Sequence, residues 1–372
     1  MIKNILFFIF IAVYSALRAQ TPITITSSDM PNENDSIHVS IADPNDFINI
    51  PDPILTGAGY TWDYTSLSPN VQQYERYDSP QDFPSFYSYL FNPFNTSYGK
   101  DNYEFSTIPL PGATISAAYD FYKESSSQLK QIGAGYIINN IPLPFVYQQA
   151  DIIYEFPMNY QSTSSCFYKY GLPIPDIGYY GQSGTRTNLV DGWGTLTTPF
   201  GTFQTLRVKS TIDAVDTVYN DNLAAGTNIP RPLKYEYKWL ANGLKIPVLK
   251  IETAVIGGNE TINNVRYIDS TRAGVPQVGI AERTPGFYLN SSVYPNPCSN
   301  ELTISYQLPA TVPVKIIMTD VVGKTIAIPV NEVQTNGSHK LTLRTVDLIP
   351  GVYFMNLDAN NHKEIRKVII AH

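Results

Sequence analysis

A single histidine, His38, stands before residue 290, so a serine or cysteine triad in that stretch would have to recruit it. Gly181-Gln182-Ser183-Gly184 falls one position short of a nucleophile elbow, because Thr185 stands where the closing glycine belongs, and no strand-to-helix turn is expected there. Gly133-Ala134-Gly135 and Gly57-Ala58-Gly59 lack the third glycine of a dinucleotide loop and read as turns, and neither H-E-x-x-H nor a Walker A pattern occurs. Carboxylate chemistry survives this filter. Glycoside hydrolysis needs two carboxyl groups set about 5–5.5 or 6.5–9.5 Å apart, and Asp151, Glu155, Asp176 and Asp191 neighbour aromatic segments, with no spacing that selects a pair. No catalytic residue and no metal ligand is assigned. Trp62, Trp193, Trp239 and the tyrosines could stack on sugar rings, although their alternation with polar residues favours sheet packing.

Charge narrows the partners. The 372-residue chain carries a formal net charge of −7, which argues against nucleic acid. Between Thr21 and Gly99, Arg76 is the sole Lys or Arg against ten acids. Such a stretch could hold calcium on carboxylate and carbonyl oxygens, but no D-x-[DN]-x-[DN]-G loop is present and a solvated acidic surface is the simpler expectation. No cofactor is expected beyond that calcium option. Cys166 and Cys298 fall in different expected domains and should be free thiols.

The elements that must position these residues read as strands. Charged residues are 15% of the chain, below the roughly 25% of an average domain, while 28 Pro, 27 Tyr and 17 Phe favour loops and strands over helical bundles. In residues 190–218, Leu206, Val208 and Ile212 alternate with Arg207, Lys209, Thr211 and Asp213 after a Pro199-Phe200-Gly201 turn, predicting a hairpin with one wet face. In residues 234–255, Tyr235, Tyr237 and Trp239 oppose Glu236 and Lys238, Ala241-Asn242-Gly243 turns, and Leu249, Ile251 and Thr253 return. The expected fold is all-β: a large antiparallel domain over residues 20–270, a sandwich or curved half-barrel, a Gly/Pro linker over 271–290, and a small Ig-like sandwich over 291–372.

The last unit carries the clearest motifs. Leu302, Ile304 and Tyr306, then Val314, Ile316 and Met318, have period two, and Asn336-Gly337 and Ile349-Pro350-Gly351 mark turns. Tyr294-Pro295-Asn296-Pro297, then Asp320-Val321-Val322-Gly323-Lys324, then Leu348 to Phe354 with Pro350, Gly351 and Tyr353, and a closing strand over 363–370, resemble the type A C-terminal sorting domain of type IX secretion in Bacteroidetes. Each motif has a local role: Pro295 and Pro297 hold extended backbone, Gly323 permits positive φ in a hairpin, and Pro350-Gly351 sets a turn. The resemblance implies recognition by the type IX machinery, passage of both membranes, and a final place at the cell surface or in the medium, with surface lipopolysaccharide as a further partner; an extracellular glycan, on which the aromatic residues could stack, is the other expected partner. It also implies O-glycosylation at Asp-Ser/Thr motifs, here Ser36, Thr217 and Ser270. The segment Asp191 to Val208 is similar, more loosely, to the Gly-Thr-Phe strand pairs of bacterial β-rich lipoproteins that fold as curved half-barrels.

Residues 1–19 read as a secretory signal: Lys3 supplies the positive region, residues 5–13 the apolar run, and Ala16 to Ala19 the small residues before cleavage at Ala19/Gln20. The expected protein is therefore exported, with a non-enzymatic cargo domain that binds, adheres or builds surface structure; an extracellular polysaccharide hydrolase is the alternative.

Overall fold

The computed structural model describes residues 21–83, 85–103, 113–139, 141–175, 177–278, 289, 291–308, 310–320, 324–359 and 362–371. The signal segment with Ala19 and Gln20, and also Asp176 and Gly323, lie outside the described residues.

Among the described residues fifteen strands form one sheet. Three open the chain, β1 (Ser36–Ala42), β2 (Ala58–Asp63) and β3 (Pro69–Arg76), followed by the short helix α1 (Ser85–Leu90). Then come β4 (Tyr98–Asp101), β5 (Ile115–Glu124), β6 (Gln128–Ile138), β7 (Ile141–Glu155) and β8 (Thr163–Ile174). The two longest, β9 (Gly178–Thr198) and β10 (Gly201–Asn220), meet at the Pro199-Phe200 turn, and β11 (Ala225–Pro230), β12 (Lys234–Leu240), β13 (Leu249–Ile256), β14 (Asn259–Ile268) and β15 (Gln277–Val278) follow. Their spatial order is β15-β3-β1-β14-β13-β12-β10-β9-β8-β7-β6-β5-β4, with β11 on β10 and β2 parallel to β9.

Beside β15, the chain leaving β3 meets β4 at the far end of this path. Asp78, two residues beyond β3, exchanges both backbone hydrogen bonds with Gly99 of β4, at 2.9 and 3.0 Å. The curved sheet thus rolls past a half-barrel and closes on itself, which removes most of the free edge that an open sheet exposes. Register shifts in β9–β10, β5–β6 and β6–β7 supply the bends that closure requires.

The expected wet face of the β9–β10 hairpin is dry at its centre. Leu206 and Val208 are buried as expected, but Arg207 is also buried, at 1% exposed. The segment before β2 folds over it: the Arg207 guanidinium donates to the carbonyls of Pro53 and Leu55, pairs with Asp191 at 2.7 and 2.8 Å, and lies 5.1 Å from the ring of Tyr237. Trp62 and Tyr64 cover Trp239 edge-on, so the aromatic face of β12 is an outer core. On the other side of the barrel Tyr87 of α1 and Phe91, the residue just after that helix, pack against Phe121 of β5.

Among the described residues the C-terminal unit has seven strands in two sheets. β16 (Ser292–Tyr294), β17 (Glu301–Leu308) and β20 (Gly337–Arg344) make one; β18 (Val312–Asp320), β19 (Thr325–Gln334), β21 (Gly351–Ala359) and β22 (His362–Ile370) make the other. Leu302, Ile304 and Tyr306 share one buried cluster with Val314, Ile316, Met318, Met355 and Leu357. Each fully buried aliphatic side chain in such a cluster contributes about 1.5–3 kcal/mol as an upper bound. Period two in the sequence becomes two inner faces of a small sandwich.

Candidate functional site in the barrel lumen

Alternation decides what the barrel contains. In β12 the aromatic residues point outward beneath Trp62, which leaves Lys234, Glu236 and Lys238 pointing inward. The same phase puts Lys250 and Glu252 of β13, Arg266 of β14 and Glu75 of β3 inside. The result is a lumen with a charged middle layer around a cavity of about 710 Å³. An apolar floor closes one end, where Met30, Leu129, Tyr154, Val190, Val208 and Ile246 pack together. At the other end Tyr103, Ile229, Pro230 and Pro232 both line the cavity and reach solvent, forming its mouth.

The charges are linked across strands. Arg186 of β9 grips Asp151 of β7 through two bonds of 2.8 Å and reaches Glu236 at 3.0 Å. Glu236 also receives Lys238 at 3.1 Å and Lys234 at 3.4 Å, while Lys234 holds Glu252 at 2.8 Å. Across the lumen Glu75 takes Lys100 at 3.2 Å, the Tyr77 hydroxyl at 3.0 Å and the Arg266 guanidinium. Near the mouth Arg231 chelates Asp216 at 2.9 Å, and Gln182 donates to the same carboxylate at 2.8 Å.

Burial and neighbours shift these groups in a readable way. Burial would raise the Glu75 carboxyl, but Arg266 and Lys100 outweigh it and hold it down at about 2. Glu236 is held well below the usual carboxylate range, its burial overcome by Lys238, Lys250 and Arg186. Lys238 is drawn down to about 8, chiefly by burial and further by Arg186 and Lys250, despite Glu236. Gln73, whose side chain lines the cavity and is 2% exposed, has a buried Oε1 with neither a hydrogen-bond partner nor an ion pair among the described residues.

The structure does not gather the carboxylates singled out in the sequence. Asp151 lies in the lumen, Asp191 on the outer face under the segment before β2, and Glu155 is exposed at the end of β7. Ser183 is mid-strand in β9, opposite Lys169 and Val215, with no elbow. His38 contacts the Asp269 carbonyl at 3.2 Å and Gln277 Oε1 at 3.3 Å rather than a nucleophile. Several acids of the 21–99 stretch are taken up by nearby backbone: Asp29 accepts from the Thr26 amide at 2.9 Å, Asp43 from Asn45, and Asp46 from Ser68. Among the described residues no group of three or more His, Cys, Asp or Glu is placed to hold a metal ion, and Cys166 and Cys298 are free.

In the C-terminal unit Tyr294, Pro295, Asn296 and Pro297 run along the exposed flank of β22. Lys324 donates its backbone N–H to Asp320 at 2.9 Å, the exposed Pro350 bends the chain into Gly351, the first residue of β21, and the buried Tyr353 donates to the Ile349 carbonyl at 2.7 Å. Ser36, Thr217 and Ser270 are all exposed.

The secretion system C-terminal sorting domain family matches residues 292–371, so the seven-stranded unit is a sorting domain of that family. It marks the protein for export by the type IX secretion machinery, with which it interacts, to the cell surface or the medium. No curated protein matches the chain. Among solved structures the chain is similar to PorZ, described as a surface component of the type-IX secretion system of Porphyromonas gingivalis, at 8% identity and a TM-score of 0.18. The match covers 74% of this chain and 58% of that one, and a likeness this low carries no argument.

Proposed function

We propose that the cargo is a non-enzymatic binding protein, delivered outside the cell by its sorting domain, whose ligand sits in the lumen of the closed sheet. One observation carries the reading: a roughly 710 Å³ cavity, open at one end and floored at the other, whose middle layer is charged. Buried ion pairs often contribute less stability than apolar packing of equal volume, so their retention here fits a role beyond holding the barrel up. A hydrolytic role finds less support, since Asp151 and Asp191 are each chelated by a guanidinium instead of standing together.

The test is a thermal-shift screen of the purified protein against neutral and acidic glycans, small amphiphiles and Ca²⁺, beside an Ala214→Trp variant that fills the lumen from β10, where Ala214 lines the cavity. A native-state ligand at 100 times its Kd adds about 2.7 kcal/mol. A shift seen in the parent and lost in the variant supports the lumen. A shift that survives in a folded variant places binding elsewhere, and a flat response throughout favours a structural role.

A further inference from the structure

We propose that the lumen takes a small hydroxylated anion, a carboxylate or phosphate carried on a polyol, its charge against Lys238, Lys250 and Arg266 and one of its hydroxyls on Gln73. The inference rests on the lumen being the binding site and names what that site selects. Register sets Lys238 of β12 opposite Lys250 of β13, and Lys250 opposite Arg266 of β14. Cross-strand partners share a face, so three cations stand side by side on three neighbouring strands, and all three line the cavity. Like charges placed directly opposite cost stability. Their carboxylates stand in the adjoining layer, Glu236 and Glu252 opposite each other on β12–β13 and Glu75 on β3: Lys238 pairs with Glu236, Lys250 with Glu252 and Glu236, and Arg266 with Glu75. Each cation of the row therefore keeps a carboxylate partner while lining the open space. Among the described residues that line the cavity, cations outnumber carboxylates by one, in a chain whose net charge is −7. A monoanion would balance the lumen.

Gln73 supplies the second half. Its unpartnered Oε1 is an acceptor, which an ionised carboxylate or phosphate cannot satisfy and a hydroxyl can. On β3 it stands two residues from Glu75, about 7 Å along the strand, and Glu75 contacts Arg266. One sugar-sized molecule can span that distance. Tyr122 and Tyr147 line the same cavity, and their hydroxyls bond none of the described residues, so further hydroxyl partners are at hand. The volume lies within the roughly 300–1,000 Å³ of small-molecule sites.

Isothermal titration of the full protein with glucuronate, glucose 6-phosphate, glucose, acetate and inorganic phosphate tests this. The two hydroxylated anions should bind at least about tenfold tighter than the other three, the range of one charge-assisted hydrogen bond. Glucuronate and glucose 6-phosphate then distinguish a carboxylate from a phosphate. Lys250→Met, in which Lys234 still holds Glu252, should weaken the preferred anion by roughly tenfold or more, Lys250→Arg should recover it, and Gln73→Leu should weaken it while leaving acetate and phosphate unchanged. Glucose binding as tightly as glucuronate overturns the anion and leaves the lumen reading standing. Acetate or phosphate binding as tightly as the hydroxylated anions overturns the hydroxyl contact. Silence from all five probes overturns the ligand class, and an affinity untouched by Gln73→Leu and by folded Lys250→Met overturns the site.

Discussion

Asn296 holds Ile369 as a neighbouring strand would: its Oδ1 accepts the Ile369 amide at 2.8 Å while its Nδ2 donates to the Lys367 carbonyl at 2.7 Å. One side chain thus satisfies two backbone groups on the outer edge of β22, and Cys298 continues the pairing with the Ile369 carbonyl at 2.9 Å. The motif Tyr294-Pro295-Asn296-Pro297 therefore pins the last strand of the sorting domain. Asn296→Ala should destabilise that unit by about 1–3 kcal/mol, read as faster amide exchange along residues 363–370. Exchange unchanged there would show that the two bonds do not hold the strand.

Export itself rests on this unit. Deletion of residues 291–372 should retain the protein in the periplasm, as immunoblots of cell fractions would show. Truncated protein in the medium or on the surface would refute the assignment of residues 292–371 as the export determinant.

The lumen network should be sensitive to losing its hub. Arg186→Met leaves Asp151 and Glu236 buried without their shared guanidinium, and breaking a buried pair on one side costs about 3–5 kcal/mol. Adding Asp151→Leu removes one of the stranded charges, so the double variant should be more stable than Arg186→Met alone. Urea unfolding of parent, single and double variants would measure this coupling, and additive losses would contradict it.

Much of the architecture was legible in the residues. Period two in Leu302, Ile304 and Tyr306 gave the inner face of the C-terminal sandwich, and Pro199-Phe200 gave the β9–β10 turn. Barrel closure was not legible, because it depends on a single bridge between Asp78 and Gly99 from strands that local patterning cannot relate. The site was hidden by an assumption about faces. Tyr235, Tyr237 and Trp239 opposite Glu236 and Lys238 read as core against water, yet Trp62 and Tyr64 cover the aromatic side and closure buries the charged one. The available signal was repetition: β13 alternates Lys250 and Glu252 with Leu249 and Ile251 on the strand that pairs with β12. Inward charge on two adjacent strands of a closed sheet is a lumen.

Acid should open the barrel through Glu75. Its carboxyl titrates at about 2 in the fold, against an ordinary value of 4.5, because Arg266 and Lys100 overcome the cost of burial. The native state therefore binds this proton more weakly than the unfolded chain. The resulting stability is fully present above pH ~4.5 and is lost as pH falls towards about 2, on the order of 3 kcal/mol for a shift of this size. Glu75→Gln removes that dependence while leaving Arg266 and Lys100 without their carboxylate. The variant should be several kcal/mol less stable at pH 7, and the gap should narrow as pH drops through the window. Urea midpoints at pH 7, 4 and 3 would follow the convergence; parallel losses in parent and variant would show that acid acts through other carboxylates.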